Sequence, residues 1–310
     1  MSNNLKTVKA VNPANIDTNG NKAAEKKISL RQGRVEDAHI TGTICYEAFN
    51  AIAGQHNFPP DFPTSEVAAG LMSVLFSHPN VYSVIAELDG QVVGSNFLWE
   101  TAVIAGVGPI TVSPTAQNGH IGRQLMEDVL ARAKQQAFAG VRLVQAAYHN
   151  RSLSLYTKLG FVAREPLSVL QGPALGLKMP GCTVRMATAV DLEAGNQLYF
   201  KVHGFTREQE FIDAIQQGTA TVVERNGRLT GYTTSIGFLG YAVAESNDDL
   251  KALIGAAPAF SGPGFLLPTR NTALFRWCLE NGLRVVQPMT LMSMGLYNEP
   301  AGAYLPSVIY

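Results

Sequence analysis

Cysteine is scarce. The 310-residue chain has three, Cys45, Cys182 and Cys278, far apart and without a CxxC pair. That excludes a disulfide framework and a cysteine-built zinc site, and it fits a reducing, cytoplasmic setting. No metal site is expected. Neither sign of charge is in excess, because 24 Lys plus Arg balance 24 Asp plus Glu. Nothing in that balance draws the chain to nucleic acid or to an anionic membrane. No apolar run nears the roughly 20 residues of a membrane span, and the N-terminus lacks the apolar h-region of a secretory signal. Charged residues make up only 15% and hydrophobic residues 46%, so a large core can form and global disorder is excluded. At roughly 150 residues per domain, the length suits two domains.

Residues 1–27 are rich in Asn, Lys, Ala and Thr without an apolar period, and read as a mobile tail. Strands and helices then alternate. Glu36 to Ala51 and Ser65 to Phe76 carry helical spacing, with a breaking segment at Gln55-His56-Asn57-Phe58-Pro59-Pro60 between them. Val81 to Leu88 and Gln91 to Trp99 flank Asp89-Gly90, a hairpin signal. Ile110 to Val112 continues the sheet, Gly122 to Phe138 is an amphipathic helix, and Val141 to Ala147 reads as a central buried strand. Ser152 to Leu159 is a short helix stopped by Gly160.

The second half copies the first. Arg31 precedes Asp37 by six residues, and Arg185 precedes Asp191 likewise. Asp89-Gly90-Gln91-Val92-Val93-Gly94 matches Asn226-Gly227-Arg228-Leu229-Thr230-Gly231. His149 stands eleven residues before Gly160-Phe161, and Asn271 eleven before Gly282-Leu283. Matches in the same order argue for duplication, with the join in the Pro/Gly-rich stretch Gly172 to Gly181. The apolar end, Leu305 to Tyr310, is read as a tail that completes a sheet.

Chemistry concentrates in Gly108-Pro109-Ile110-Thr111-Val112-Ser113-Pro114-Thr115-Ala116-Gln117-Asn118-Gly119-His120-Ile121-Gly122-Arg123. A strand enters a glycine-bearing turn that opens a helix, so successive backbone N–H groups and the helix dipole can converge on an anion. Arg123 adds a charge there. Gly-x-Gly-x-x-Gly and Gly-Lys-Ser/Thr are both absent, which excludes the dinucleotide and Walker A readings.

This segment resembles motif A of the GNAT superfamily of N-acetyltransferases, whose pattern is Gln or Arg, two residues, Gly, one residue, Gly or Ala. Gln117 and Gly122 match, and His120 stands where the first glycine is usual, with Gly119 one place earlier. A second piece, His149-Asn150-Arg151-Ser152-Leu153-Ser154-Leu155-Tyr156-Thr157-Lys158-Leu159-Gly160-Phe161, is similar to the family's helix after the fifth strand. The resemblance covers roughly residues 28–175 and implies an α/β (α+β) fold with a central mixed, mainly antiparallel sheet flanked by helices. It implies acetyl-CoA as acyl donor. The diphosphate is expected on Gly119, His120, Ile121, Gly122 and Arg123, with Gln117, Asn150 and Ser152 nearby. A backbone amide among Ile110, Thr111 and Val112 is expected to face the thioester oxygen. Tyr156 matches the tyrosine beside the coenzyme sulfur and is the expected general acid, protonated at neutral pH. Glu100, at the end of a strand beside Trp99, is the candidate base, and His149 is read as a helix cap.

The acceptor is expected past the loop Gln55 to Asp61, with His56, Phe58, Asp61, Phe62 and Trp99 as contacts and Asp61 opposite an ammonium. In the second half the turn position reads Ala242-Val243-Ala244-Glu245-Ser246-Asn247-Asp248-Asp249-Leu250, whose carboxylates would repel a diphosphate, and Cys278 replaces Tyr156. Residues 182–310 are therefore expected to be a degenerate GNAT-like domain without a coenzyme site, beside an active domain at 28–175. The expected reaction is direct attack by a small-molecule primary amine in a ternary complex. An acyl-CoA-binding sensor and a protein lysine or N-terminal acetyltransferase are the alternatives. A homodimer is compatible with the sequence.

Overall fold

In the computed structural model, residues 27–309 are described. The expected N-terminal tail lies outside them, except for Lys27. The first half runs β1 (Ile28–Gln32), α1 (Ala38–Gln55), α2 (Ser65–Ser77), β2 (Val81–Leu88), β3 (Gln91–Trp99), β4 (Ile104–Val107), β5 (Thr111–Val112), α3 (Ile121–Gln135), β6 (Gly140–Ala146), α4 (Asn150–Lys158) and β7 (Val162–Gln171). The second half runs β8 (Thr183–Met186), α5 (Leu192–His203), α6 (Glu208–Gln216), β9 (Thr221–Arg225), β10 (Arg228–Thr233), β11 (Ala242–Ala244), α7 (Asn247–Ala256), β12 (Phe265–Pro268), α8 (Thr272–Glu280), β13 (Arg284–Gly295) and β14 (Ala303–Leu305). No described helix is long and apolar enough to cross a membrane.

The duplication holds down to hydrogen bonds. Arg31 grips Asp37 through both terminal nitrogens at 2.7 and 2.8 Å and reaches Glu87 at 2.6 Å. Arg185 grips Asp191 at 2.7 and 2.8 Å and reaches Glu224 at 2.6 Å. In each half the arginine holds its aspartate well below the usual carboxylate range. Both hairpins put two left-handed residues at the turn, Asp89 and Gly90 in one, Asn226 and Gly227 in the other. That is the backbone of a two-residue type I′ loop, which matches the strands' twist.

The halves at 28–175 and 182–310 do not keep separate sheets. The larger sheet has the order β1-β2-β3-β4-β6-β13-β7-β12, with β5 on β3, and the smaller is β14-β11-β10-β9-β8. By sequence position β13 repeats β7, and β12 repeats β6. Each half therefore places its last strand against the other half: β13 pairs with β6, and β7 with β12. The expected join is a boundary in the chain and not in the sheet. Patterning marks which segments are strands, but the choice between two copies of one partner is set by long-range packing.

One ion pair lies at this exchange. The Glu165 side chain on β7 is fully buried and accepts from Arg270 Nε at 2.6 Å and from the Tyr304 hydroxyl of β14 at 3.2 Å. Arg270→Ala leaves that carboxylate with one partner. The expected cost is about 3 kcal/mol, the size seen when a buried pair loses one member, read as a lower urea midpoint. Arg123→Ala, which breaks the exposed pair with Glu127, should cost under about 1 kcal/mol.

Two layers of apolar side chains sandwich the first-half sheet. Val84, Ala86, Leu98, Val107 and Leu143 pack with Ile121, Leu125, Met126 and Val129 of α3 and with Tyr156 of α4. Phe97 packs with Cys45 of α1 and with Met72 and Leu75 of α2. The consequence for ligand binding is a wedge. β4 runs parallel to β6 only from Ile104↔Gly140 to Gly106↔Arg142. β5 then stays with β3, so residues 143–146 of β6 have no ladder partner on that edge among the described residues. In the second half β14 pairs with β11 and also lies against β12. The short strand β14 thus lies in the equivalent gap; of the tail Leu305 to Tyr310, only Leu305 belongs to it among the described residues.

Candidate functional site

The turn expected to hold an anion lies at the mouth of the wedge. Gln117 Nε2 donates to the Val112 carbonyl at 3.2 Å and ties the turn to β5. Asn118 and His120 have φ of +70° and +62°, so His120 itself takes the left-handed backbone where a glycine was expected. Gly119 does not. Asn and His tolerate that region better than most residues, at about 1 kcal/mol. His120→Gly should therefore raise stability by up to about 1 kcal/mol and leave coenzyme affinity equal or better. Parallel thermal melts and binding titrations check this.

His120 is the N-cap of α3, yet no side chain caps it and no acidic residue lies in the first turn. The amides of Ile121, Gly122 and Arg123 thus point outward without an intrahelical acceptor. A Cβ at Gly122 would stand 3.7 Å from Val112 and 3.8 Å from Leu155, so the space over this glycine is a cradle between β5 and α4. Helix α7 is the opposite case. Ser246 caps it, and the Asp249 carboxylate sits there, bonded to Ser246, Thr230 and Arg225. That carboxylate and Asp248 put negative charge at the helix start, where an anion would be repelled.

Gln145 was missed by the sequence reading. It lies on β6 within the wedge, 6% exposed, and neither polar atom of its amide has a partner among the described residues. A buried amide left open costs about 1–3 kcal/mol. It suits a ligand that carries its own amides, as the pantetheine arm of coenzyme A does. A polar residue inside the apolar run Val141 to Ala147 was the available signal. The uncapped amides, the cradle at Gly122 and this open amide together fit the coenzyme.

Helix α4 closes the wedge. His149 is its N-cap, and Nδ1 accepts from the Ser152 amide at 3.2 Å. Burial, then Arg151, holds this imidazole below its usual pKa, so Nδ1 keeps the lone pair that the cap needs. Asn150 opens the helix and Ser152 lies in its first turn. Tyr156 is buried with its ring edge-on to Phe161, and burial pushes its hydroxyl up to about 12. Thr111 is buried, with its hydroxyl 3.3 Å from that of Ser95.

Glu100 is not brought to this place. Its two oxygens accept from Arg132 Nε and Nη2 at 2.8 and 3.0 Å. Arg132 lies in the last turn of α3, ten residues and so about 15 Å along the axis from Gly122. A base must come within hydrogen-bond reach of its proton, and this carboxylate is already engaged at the far end of the helix. Trp99 is likewise occupied. Its indole N–H donates to the Gly108 carbonyl at 3.0 Å, its ring lies against His78, and it joins the α1–α2 core. Phe62 packs edge-on to Phe49 in the same core.

The remaining acceptor candidates do converge. Phe58 stacks on Tyr148 with centroids 4.2 Å apart, and His56 lies 5.3 Å from the same ring. Asp61 Oδ1 accepts from Gln287 Nε2 at 2.9 Å, and Gln287 Oε1 accepts from the Tyr148 hydroxyl at 3.0 Å. Burial raises the Asp61 pKa, opposed by that amide. Tyr148 follows directly on β6, so this cluster stands at the open end of the wedge. Tyr148 was legible from its place beside His149. Gln287 was not, because it arrives on the exchanged strand.

A family model described as "Acetyltransferase (GNAT) family" matches residues 45–161. An "IAA acetyltransferase" of Azospirillum brasilense is 30% identical over 104 residues, which are 33% of this chain and 67% of that protein. Among solved structures, one from Pyrococcus horikoshii assigned as an acetyltransferase superposes with a TM-score of 0.70 at 16% identity, covering 92% of this chain and 95% of that one. A GCN5-related N-acetyltransferase from Sphaerobacter thermophilus gives 0.56 at 14% identity, over 88% and 96% of the two chains. These two likenesses concern the fold along nearly the whole chain.

Proposed function

The chain belongs to the GNAT acetyltransferase family, with acetyl-CoA as acyl donor, and on that footing we propose that it acetylates the primary amine of a small molecule by direct attack in a ternary complex. The observation that carries this reading is the half-buried Asp61 carboxylate in a wall of Phe58, Tyr148 and His56 at the open end of the wedge. A carboxylate with one oxygen on Gln287 keeps the other for an ammonium. Partial desolvation strengthens that attraction.

When bound, acetyl-CoA supplies the acyl thioester. The amides of Ile121, Gly122 and Arg123 would hold its diphosphate, and the β5 backbone near Thr111 would polarise the thioester carbonyl. Asp61 draws in the acceptor ammonium and takes up its proton, directly or through water. The freed amine would attack the thioester carbonyl, the N–C bond forming as the C–S bond breaks, and its second proton would leave to water as the thiolate is protonated. Tyr156, protonated at neutral pH, offers its hydroxyl to the departing sulfur. Direct attack agrees with the thiols: Cys45 and Cys278 are fully buried, and burial pushes both upward, Cys278 to about 12. Neither is a thiolate nucleophile at neutral pH.

A small acceptor is supported by the second-half residue, Gln287, in the wall of the site, and by the small-molecule name of the Azospirillum relative. The test is thiol release from acetyl-CoA with four acceptor sets: free aliphatic and aryl-alkyl amines, amino acids, lysine peptides, and hydroxyl analogues of the amines. Release with free amines and not with their hydroxyl analogues is expected. Turnover of the peptides alone contradicts a small acceptor. Saturable acetyl-CoA binding with no acceptor turned over contradicts an enzyme.

A further inference from the structure

We propose that the second half of the chain is part of the acceptor site, and that Gln287 is the positioning residue that fixes Asp61 and so selects acceptors carrying an ammonium. This rests on the acetyl-transfer reading above. Gln287 is 1% exposed and comes from β13, 226 residues from Asp61. Its amide is used at both edges: Nε2 donates to Asp61 Oδ1, and Oε1 accepts from the Tyr148 hydroxyl.

The directions are interlocked. Tyr148 can supply only its hydroxyl proton while it stays protonated, and burial pushes its pKa up to about 12. The ionised Asp61 can only accept, so the NH2 edge of Gln287 faces it and Oε1 is left to accept from the Tyr148 hydroxyl. An NH2 edge favours the ionised carboxylate, the form that binds an ammonium. Asp61 lies in the segment between α1 and α2 that has no helix or strand of its own. Its side chain is placed from across the molecule.

The strand geometry aims the side chain. Register along β13 and β7 shifts between Val285, opposite Leu170, and Gln287, opposite Val169. Val286 is thus an extra residue, and a bulge of this kind re-aims the side chain beside it. Without the exchange, β13 would not neighbour β6, and no residue of the second half would reach Tyr148. The exchanged strand therefore gives the duplicated half a task even though its own coenzyme position is filled by Ser246, Asp249 and β14.

Other ionisable groups face Asp61. Cys45 of α1 and Tyr148 are close enough that the Asp61 charge raises both their pKa values. His56 lies over the Tyr148 ring and beside His149. The apolar surroundings push Asp61 toward its neutral form, and the Gln287 amide opposes them. Loss of that amide should raise the Asp61 pKa and move the acid limb of kcat/KM to higher pH.

The experiment compares the full-length wild type with Gln287→Leu and Gln287→Glu. The leucine removes both edges, and the glutamate keeps the shape but cannot donate in its ionised form. Three readouts are taken: acetyl-CoA affinity, KM and kcat for an amine acceptor across pH, and the titration of Asp61 by carbon-13 NMR of the aspartate carboxyls, assigned with Asp61→Asn. The expected result is an unchanged acetyl-CoA affinity, an acceptor KM about tenfold higher or more, a smaller change in kcat, and an Asp61 titration displaced upward. Wild-type values of acceptor KM and of the Asp61 titration in a folded variant overturn the proposal. So does an equal loss of acetyl-CoA affinity, which marks Gln287 as a packing residue. If the leucine variant fails to fold, the glutamate variant decides by the same criteria. Wild-type protein that acetylates no amine overturns the acetyl-transfer reading, and the Asp61 titration, which needs no turnover, then reports separately whether Gln287 holds that carboxylate.

Discussion

Asp61→Asn should lower kcat/KM for an amine acceptor by about a hundredfold or more and leave acetyl-CoA affinity within a factor of about two. Removing one member of a close, desolvated charge pair costs about 2–5 kcal/mol, and each 1.4 kcal/mol is tenfold. The substitution keeps shape and volume, and the new amide can present its oxygen to Gln287 Nε2. What is lost is the charge. The effect should therefore fall on ammonium acceptors, and the acid limb of the pH profile should vanish with the carboxylate. Burial raises this group, so in the wild type the limb should lie above the ordinary aspartate range. Activity rises with pH as Asp61 ionises and then holds until other groups titrate. Steady-state kinetics over pH checks both points. An acceptor KM unaffected by the substitution would place the acceptor elsewhere.

Gly122→Glu should abolish acetyl-CoA binding while the protein stays folded or becomes slightly more stable. The two effects have opposite signs for one physical reason. A carboxylate in the first turn of a helix complements the dipole, by about 0.3–1 kcal/mol. The space beside this glycine allows it, because the new Cβ meets Val112 and Leu155 at ordinary contact distances. That same space is where a diphosphate would lie against the amides. Two unit charges 4 Å apart repel by about 4 kcal/mol near a protein surface, about a thousandfold in affinity. Gly122→Ala, which adds volume without charge, should weaken binding much less. Binding titrations beside thermal melts separate a lost site from a lost fold.

Much of this was legible in the sequence, at the level of local signals. Val81 to Leu88 and Gln91 to Trp99 are strands as their alternation and the Asp89-Gly90 turn require. The duplication showed in Arg31 and Asp37 against Arg185 and Asp191, and the two clusters bond alike. Three features were not legible. Glu100 looked free at a strand end, but its partner Arg132 sits 32 residues further on, and no local pattern announces that pairing. His120 broke the glycine pattern, yet it occupies the left-handed backbone itself. The strand exchange could not be read at all, since β7 and β13 carry similar patterns and either could have lain beside β6. With it went Gln287, the residue that joins the halves at one site.

The central claim is one coenzyme site in the first half, separate from the acceptor's carboxylate. Calorimetric titration of acetyl-CoA into the full chain, with Gly122→Glu and Asp61→Asn beside it, tests this most directly. One acetyl-CoA is expected to bind per wild-type chain, with unchanged affinity in Asp61→Asn and no binding in a folded Gly122→Glu. A stoichiometry of two, or binding retained in Gly122→Glu, would contradict it.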